Sequence, residues 1–187
     1  MNTVTDSRGK AARVRLIEPA AAGPELAALY REIEGQFGGL PNLFKALGHR
    51  PAILRATLDK IAAVMHGGEL DRRLKEMVAV VVADARGCAY CVGAHSMVLR
   101  RLGVPEETIA LLGGDLARSD LPASWIGVLE LARAAARDVH GITDARFGEL
   151  SAQGLSDAAI VELVSVMDLF MSLSFFLDLL AVPLDAL

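Results

Sequence analysis

Apolar residues recur at intervals of three and four along most of this chain, and the strict alternation of a half-buried strand is nowhere sustained. In "PAILRATLDKIAAVM", Ile53, Leu54, Leu58, Ile61 and Met65 mark one helical face. "PELAALYREIEGQF" opens with Pro24 at a first helical position and stops at Gly38-Gly39. "LPNLFKALGHRP" reads as a turn and a short helix closed before Pro51. "LDRRLKEMVAVVVADARG" predicts a helix stopped at Gly87, and "CAYCVGAHSMVLRRLG" another ending at Gly103. "VPEETIALLGG", "PASWIGVLELARAAARDVHG", "TDARFGELSAQG" and the apolar stretch from Val161 to Leu180 complete the series. "MVAVVVA" is rich in β-branched residues and has the look of a strand. It is read as helix because "LDRRLKEM" runs straight into it and no second strand exists to pair with it. Met77 to Ala83 are apolar all round the helical wheel, which predicts burial on every side.

Composition agrees with an all-α fold. Ala, Leu and Val carry an apolar content of 53%, and aromatics are only 5%. With 187 residues there is enough chain for one proper core, or for two small units packed as one. Residues 1–12 are polar and of mixed charge and are expected to be poorly ordered. Residues 13–187 are expected to form a single helical domain. The net charge of -4 gives no basic excess to neutralise phosphates, so nucleic acid is not expected as a partner. The N-terminal charges are followed by no apolar run of the kind a secretory signal carries. Glu162, Asp168 and Asp178 interrupt the stretch from Val161 to Leu180, so it is expected to be a core helix and not a membrane span. A cytoplasmic location follows as an expectation, and there a close cysteine pair points to catalysis or metal binding sooner than to a static disulfide.

A weak internal repeat is also visible. Asp71, Leu74, Glu76, Met77, Val78 and Val80 align with Asp157, Ile160, Glu162, Leu163, Val164 and Val166 at a constant offset. Chance agreement between amphipathic helices produces the same pattern. Ser174 and Leu177 stand where Cys88 and Cys91 would fall in the second copy.

The chemistry concentrates in "GCAYCVGAH". Cys88 and Cys91 are the only cysteines, and His95 follows four residues later. On a helix these spacings place all three on one face. Cys88 is expected in the first turn after Gly87, where unpaired N–H groups favour a thiolate. His95 lies one turn beyond Cys91, within reach for proton exchange. Glu76 leads into the all-round apolar helix, on the face shared by Val80 and Ala83. Burial there is expected to raise its pKa toward the range of a general base. Three readings stay open on the residues alone: a redox dithiol, a metal site built from Cys88, Cys91, His95 and Glu76, and two core thiols of a scaffold protein. The c-type haem motif is absent, since Val92 and not histidine follows Cys91. His49, His66 and His140 read as solvated or capping residues, Trp125 as core or interface, and Arg133 with Arg137 as a solvated helix face.

Glu76, eleven residues, Cys88, two residues, Cys91, three residues and His95 reproduce an E-x11-C-x2-C-x3-H pattern. The chain thereby resembles the AhpD-like alkylhydroperoxidases of the carboxymuconolactone decarboxylase superfamily. "RRLGVPEE" and "LPNLFKAL" look like the peroxidase-related branch of it. The resemblance implies an AhpD-like helical fold, a homo-oligomer (trimer, dimer or hexamer) and reduction of organic hydroperoxides by a dithiol, without a cofactor. It also implies roles. Cys91 is attacked by peroxide and becomes sulfenic acid, Cys88 resolves it as a disulfide, and Glu76 and His95 relay the proton. The reductant it implies is a dithiol or lipoyl-type partner. Tyr90 departs from the best-known members, which carry histidine between the cysteines. Tyrosine titrates near pH 10 and is a poor proton shuttle. Lactone decarboxylation is the poorer reading, because the superfamily's decarboxylases generally lack the cysteine pair.

Overall fold

The computed structural model describes residues 11–185 of the chain. The expectation of disorder over 1–12 therefore falls, save for its last two positions, outside the described residues. Nine α-helices and three short 3-10 turns make up the described residues, with no strand among them. The helices are α1 (Pro24–Phe37), α2 (Asn42–Leu47), α3 (Pro51–Met65), α4 (Arg72–Arg86), α5 (Ala89–Arg101), α6 (Glu106–Leu111), α7 (Ala123–Arg137), α8 (Asp144–Ala152) and α9 (Asp157–Leu179). The all-α expectation holds, and "MVAVVVA" is helix. Residues 77–83 are each at most 2% exposed, so the segment is buried on every side.

The chain forms two compact units, Met1–Ala62 with Phe176–Leu187, and Ala63–Phe175. In the first, Leu26, Leu29, Tyr30 and Ile33 bury one face of α1, and Leu43, Phe44 and Leu47 bury most of α2. The Phe37 and Phe44 rings meet at 5.1 Å. Tyr30 donates its hydroxyl to the Ile17 carbonyl at 2.9 Å. Burial, and then the Glu18 charge, push its pKa up to about 12. Asn42 is the polar tie of this unit. Its amide donates to the carbonyls of Pro183 and Leu184, and its backbone N–H to the Asp185 carboxylate.

The second unit holds both copies of the sequence repeat and all the candidate chemistry. Here α4 packs against α5 and α7, α5 against α6, and α7 against α8. An ion pair between a buried lysine and a half-buried carboxylate anchors the turn before α4. Lys75 is 1% exposed and binds the Glu162 carboxylate and the carbonyls of Val64 and Gly67. Glu162 in turn accepts from the backbone N–H of Glu69 at 2.7 Å and of Leu70 at 3.3 Å. Gly68, at φ +93°, is required twice over, by its left-handed backbone and because a Cβ would run into the Glu162 carboxylate.

Helix α9 departs from a fully buried core helix. Leu163, Val166, Met167, Leu169 and Phe170 are buried, whereas Val161, Val164 and Phe175 are exposed. By length and composition alone it qualifies to cross a membrane, and 44% of its apolar window is buried.

Candidate active site

Two local breaks create the site. Asp71 accepts the Arg73 backbone N–H at 2.7 Å and so caps the start of α4. Gly87, at φ 74°, ends the helix in the left-handed conformation that glycine adopts without strain. Cys88 then takes an extended conformation and becomes the N-cap of α5. Its N–H returns to the Ala83 carbonyl at 2.9 Å, and its own carbonyl accepts from Val92 at 3.1 Å. Cys91 is the third residue of α5. The expectation of Cys88 inside the first turn is thus corrected: Cys88 caps the helix and Cys91 occupies that turn. The positive end of α5 bears on both sulfurs, so it does not by itself single out Cys88.

Glu76 and His95 are brought together. The His95 Nδ1 lies 2.6 Å from Glu76 Oε2. Glu76 is 1% exposed, as its neighbours on α4 predict. Its other oxygen, Oε1, accepts from Arg72 Nε at 2.8 Å and Nη2 at 2.6 Å. Arg72 itself is anchored on the Met65 carbonyl at 2.9 Å through Nη1. The expected rise in the pKa of Glu76 is reversed. Burial does push it up, but the hydrogen bond from His95, the His95 charge and the Arg72 guanidinium together hold it below its ordinary value. Glu76 is therefore an anion, and an anion on Nδ1 fixes that nitrogen as the donor. In the neutral imidazole the lone pair then stands on Nε2.

His95 forms the open edge of this cluster, with its side chain 20% exposed. Its ring meets Phe170 of α9 edge-on, with centroids 4.4 Å apart. Cys88 and Cys91 lie deeper, at 0% and 3% exposure. Tyr90, the second residue of α5, is buried at 8%. The Ser174 hydroxyl of α9 donates to Cys91 Sγ at 3.7 Å. Sequence reasoning marked Ser174 only as a cysteine lost from the second copy. It missed Arg72 as well, although Arg72 and Glu76 at i, i+4 were a readable pair.

Among the described residues, no three His, Cys, Asp or Glu side chains gather as a set able to hold a metal ion. Cys88, Cys91, His95 and Glu76 consequently do not form one ligand sphere. His49, His66 and His140 are exposed, with His49 Nε2 on the Arg15 carbonyl at 2.7 Å. Trp125 is half-buried under the Arg73 guanidinium at 5.7 Å. Arg133 is not simply solvated: it donates to the Leu112 carbonyl at 2.9 Å and closes the end of α6.

Residues 51–138 match the model of the carboxymuconolactone decarboxylase family. That segment, just under half of the chain, is similar to the family. It contains Glu76, Cys88, Cys91 and His95, while Ser174 lies beyond it. An alkyl hydroperoxide reductase of Mycobacterium tuberculosis is 34% identical over 104 residues, which is 54% of this chain and 30% of that protein. The chain thus spans about a third of the curated relative it matches. Among solved structures, a peroxidase-related protein from Silicibacter sp. TM1040 superposes with a TM-score of 0.85 at 23% identity, covering 94% of this chain and 92% of that one. An AhpD-core, peroxidase-related protein from Ralstonia eutropha JMP134 gives 0.84 at 24% identity, covering 93% and 92%. These two likenesses establish an AhpD-like all-helical fold.

Proposed function

We propose that this chain is a dithiol peroxidase that reduces organic hydroperoxides, with Cys91 as the attacked thiolate and Cys88 as the resolving thiol. The observation that carries the reading is the 2.6 Å hydrogen bond between buried Glu76 of α4 and His95 of α5, the helix that Cys88 caps and that contains Cys91. A carboxylate that fixes the tautomer of a histidine one turn from a thiol is the arrangement an activated nucleophile requires. The family match and the relative named as an alkyl hydroperoxide reductase support the same class of reaction.

In this mechanism the Nε2 of His95 takes the Cys91 proton, directly or through water. The thiolate then attacks the outer peroxide oxygen. The S–O bond forms as the O–O bond breaks, leaving a Cys91 sulfenic acid and an alkoxide. The imidazolium, steadied by anionic Glu76, returns the proton to the alkoxide and releases the alcohol. The Cys88 thiol displaces water from the sulfenic acid and closes the disulfide. An external dithiol, of lipoyl type or another, reopens the disulfide by exchange. A homo-oligomer of this chain is part of the same proposal.

The test is steady-state turnover of an organic hydroperoxide with a dithiol reductant. The wild type turns over repeatedly. Cys91→Ser is inactive, and Cys88→Ser completes one turnover and stops. Multiple turnover by Cys91→Ser contradicts the assignment. Stoichiometric zinc with thiols inert to alkylation favours a metal site instead.

A further inference from the structure

We infer that Ser174 is a positioning residue for Cys91, holding its sulfur by a buried hydrogen bond and weighting the thiolate toward it; the inference rests on the peroxidase reading for its purpose, and on geometry for its content. Ser174 is 0% exposed and Cys91 3%, with the hydroxyl donating to the sulfur at 3.7 Å. The contact is long-range in sequence, from α9 to α5, so the cysteine motif by itself does not contain it.

The position of Ser174 in α9 sharpens the point. The other side chains that α9 buries between residues 159 and 173 are Ala159, Leu163, Val166, Met167, Leu169, Phe170 and Leu173. A hydroxyl in that row forgoes the apolar burial its neighbours gain, and costs free energy unless it is hydrogen-bonded. Here its recorded acceptor is a sulfur, and the sulfur is the one that the proposed reaction ionises.

A donor hydrogen bond strengthens when its acceptor becomes charged, so it stabilises thiolate over thiol. The charged and titratable groups around Cys91 come from two other sides. On α5 these are Cys88, Tyr90 and His95. From α4, Glu76 and Arg72 act through His95. On α9, Glu162 is engaged by Lys75, and Asp168 is on the exposed side. Ser174 adds an uncharged donor that does not titrate.

The experiment is an ultraviolet thiolate titration in the Cys88→Ser background, where Cys91 is the sole thiol. Ser174→Ala should move the Cys91 midpoint up by about half a unit to one unit, a three- to tenfold smaller thiolate fraction below the midpoint. The same substitution in the Cys91→Ser background should leave the Cys88 midpoint in place. An unchanged Cys91 midpoint overturns the inference, and so does an equal shift at both cysteines, which would be a general effect of packing. Alanine is smaller than serine and a better helix former, so α9 tolerates it. The titration uses no peroxide, and it therefore separates failure of this inference from failure of the peroxidase reading.

Discussion

Glu76 on α4 and Glu162 on α9 occupy matched positions of the sequence repeat, and both carry a depressed pKa against the push of burial. Their partners differ. Glu162 binds Lys75 and two backbone N–H groups. Glu76 binds Arg72 and His95. Lys75 is held against two carbonyls and a carboxylate, so the Glu162 cluster locks the turn at residues 64–70. A histidine has a second ring nitrogen to offer, so in the proposed reaction the same kind of anion supports a base. The helices differ in the same sense. Gly87 breaks the first copy and turns Cys88 into a helix cap, whereas Leu173 stands at the equivalent place in α9 and the helix runs through. A buried carboxylate is thus not a site by virtue of burial; its partner and the break beside it decide.

The comparison can be broken from either side. Lys75→Ala leaves the half-buried Glu162 without its cation and should destabilise the fold by about 3 kcal/mol in urea unfolding. Hydroperoxide turnover per folded molecule should stay within about twofold. Glu76→Gln should do the opposite. With Arg72 donating to the amide oxygen, the amide NH2 faces Nδ1 and draws the lone pair there from Nε2, and turnover should fall about 100-fold, about 2.7 kcal/mol of transition-state stabilisation. Equal activity losses in the two variants would erase the distinction. Arg72→Gln removes a cation from Glu76, so the carboxyl pKa rises. Its turnover should fall about tenfold, with the acid limb of the pH–rate profile moved to higher pH. A limb moved to lower pH would contradict the role given to Arg72.

The smallest effect is on acid stability. Glu76 has a folded-state pKa below its ordinary value of 4.5. Its contribution is complete above that value and is lost as the pH falls through the folded value. Unfolding free energy measured from pH 5 downward should therefore decline less steeply in Glu76→Gln than in the wild type.

The helices were legible because their stops are local. Pro24, Gly38, Pro51, Gly87 and Gly103 punctuate the chain, and each acts within a turn of itself. Burial of Glu76 was legible for the same reason, since Val80 and Ala83 share its face. Its depressed pKa was not, because the sign depends on His95, nineteen positions away in the chain, and on how closely the two helices approach. Ser174 was visible as a departure from the cysteine pattern, but nothing local says that α9 delivers its hydroxyl to Cys91. The half-exposed state of α9 escaped the sequence as well, since its apolar residues surround the helix and periodicity marks no inner face. Arg133 read as solvated because its acceptor is a carbonyl at the end of another helix.

The most direct measurement of the central claim is intact-mass analysis after one equivalent of an organic hydroperoxide, without added reductant. The account predicts that the wild type loses two hydrogens by closing Cys88–Cys91, and that Cys88→Ser gains one oxygen, located on Cys91. Oxygen found on Cys88 in the Cys91→Ser variant, at the wild-type rate, would contradict it.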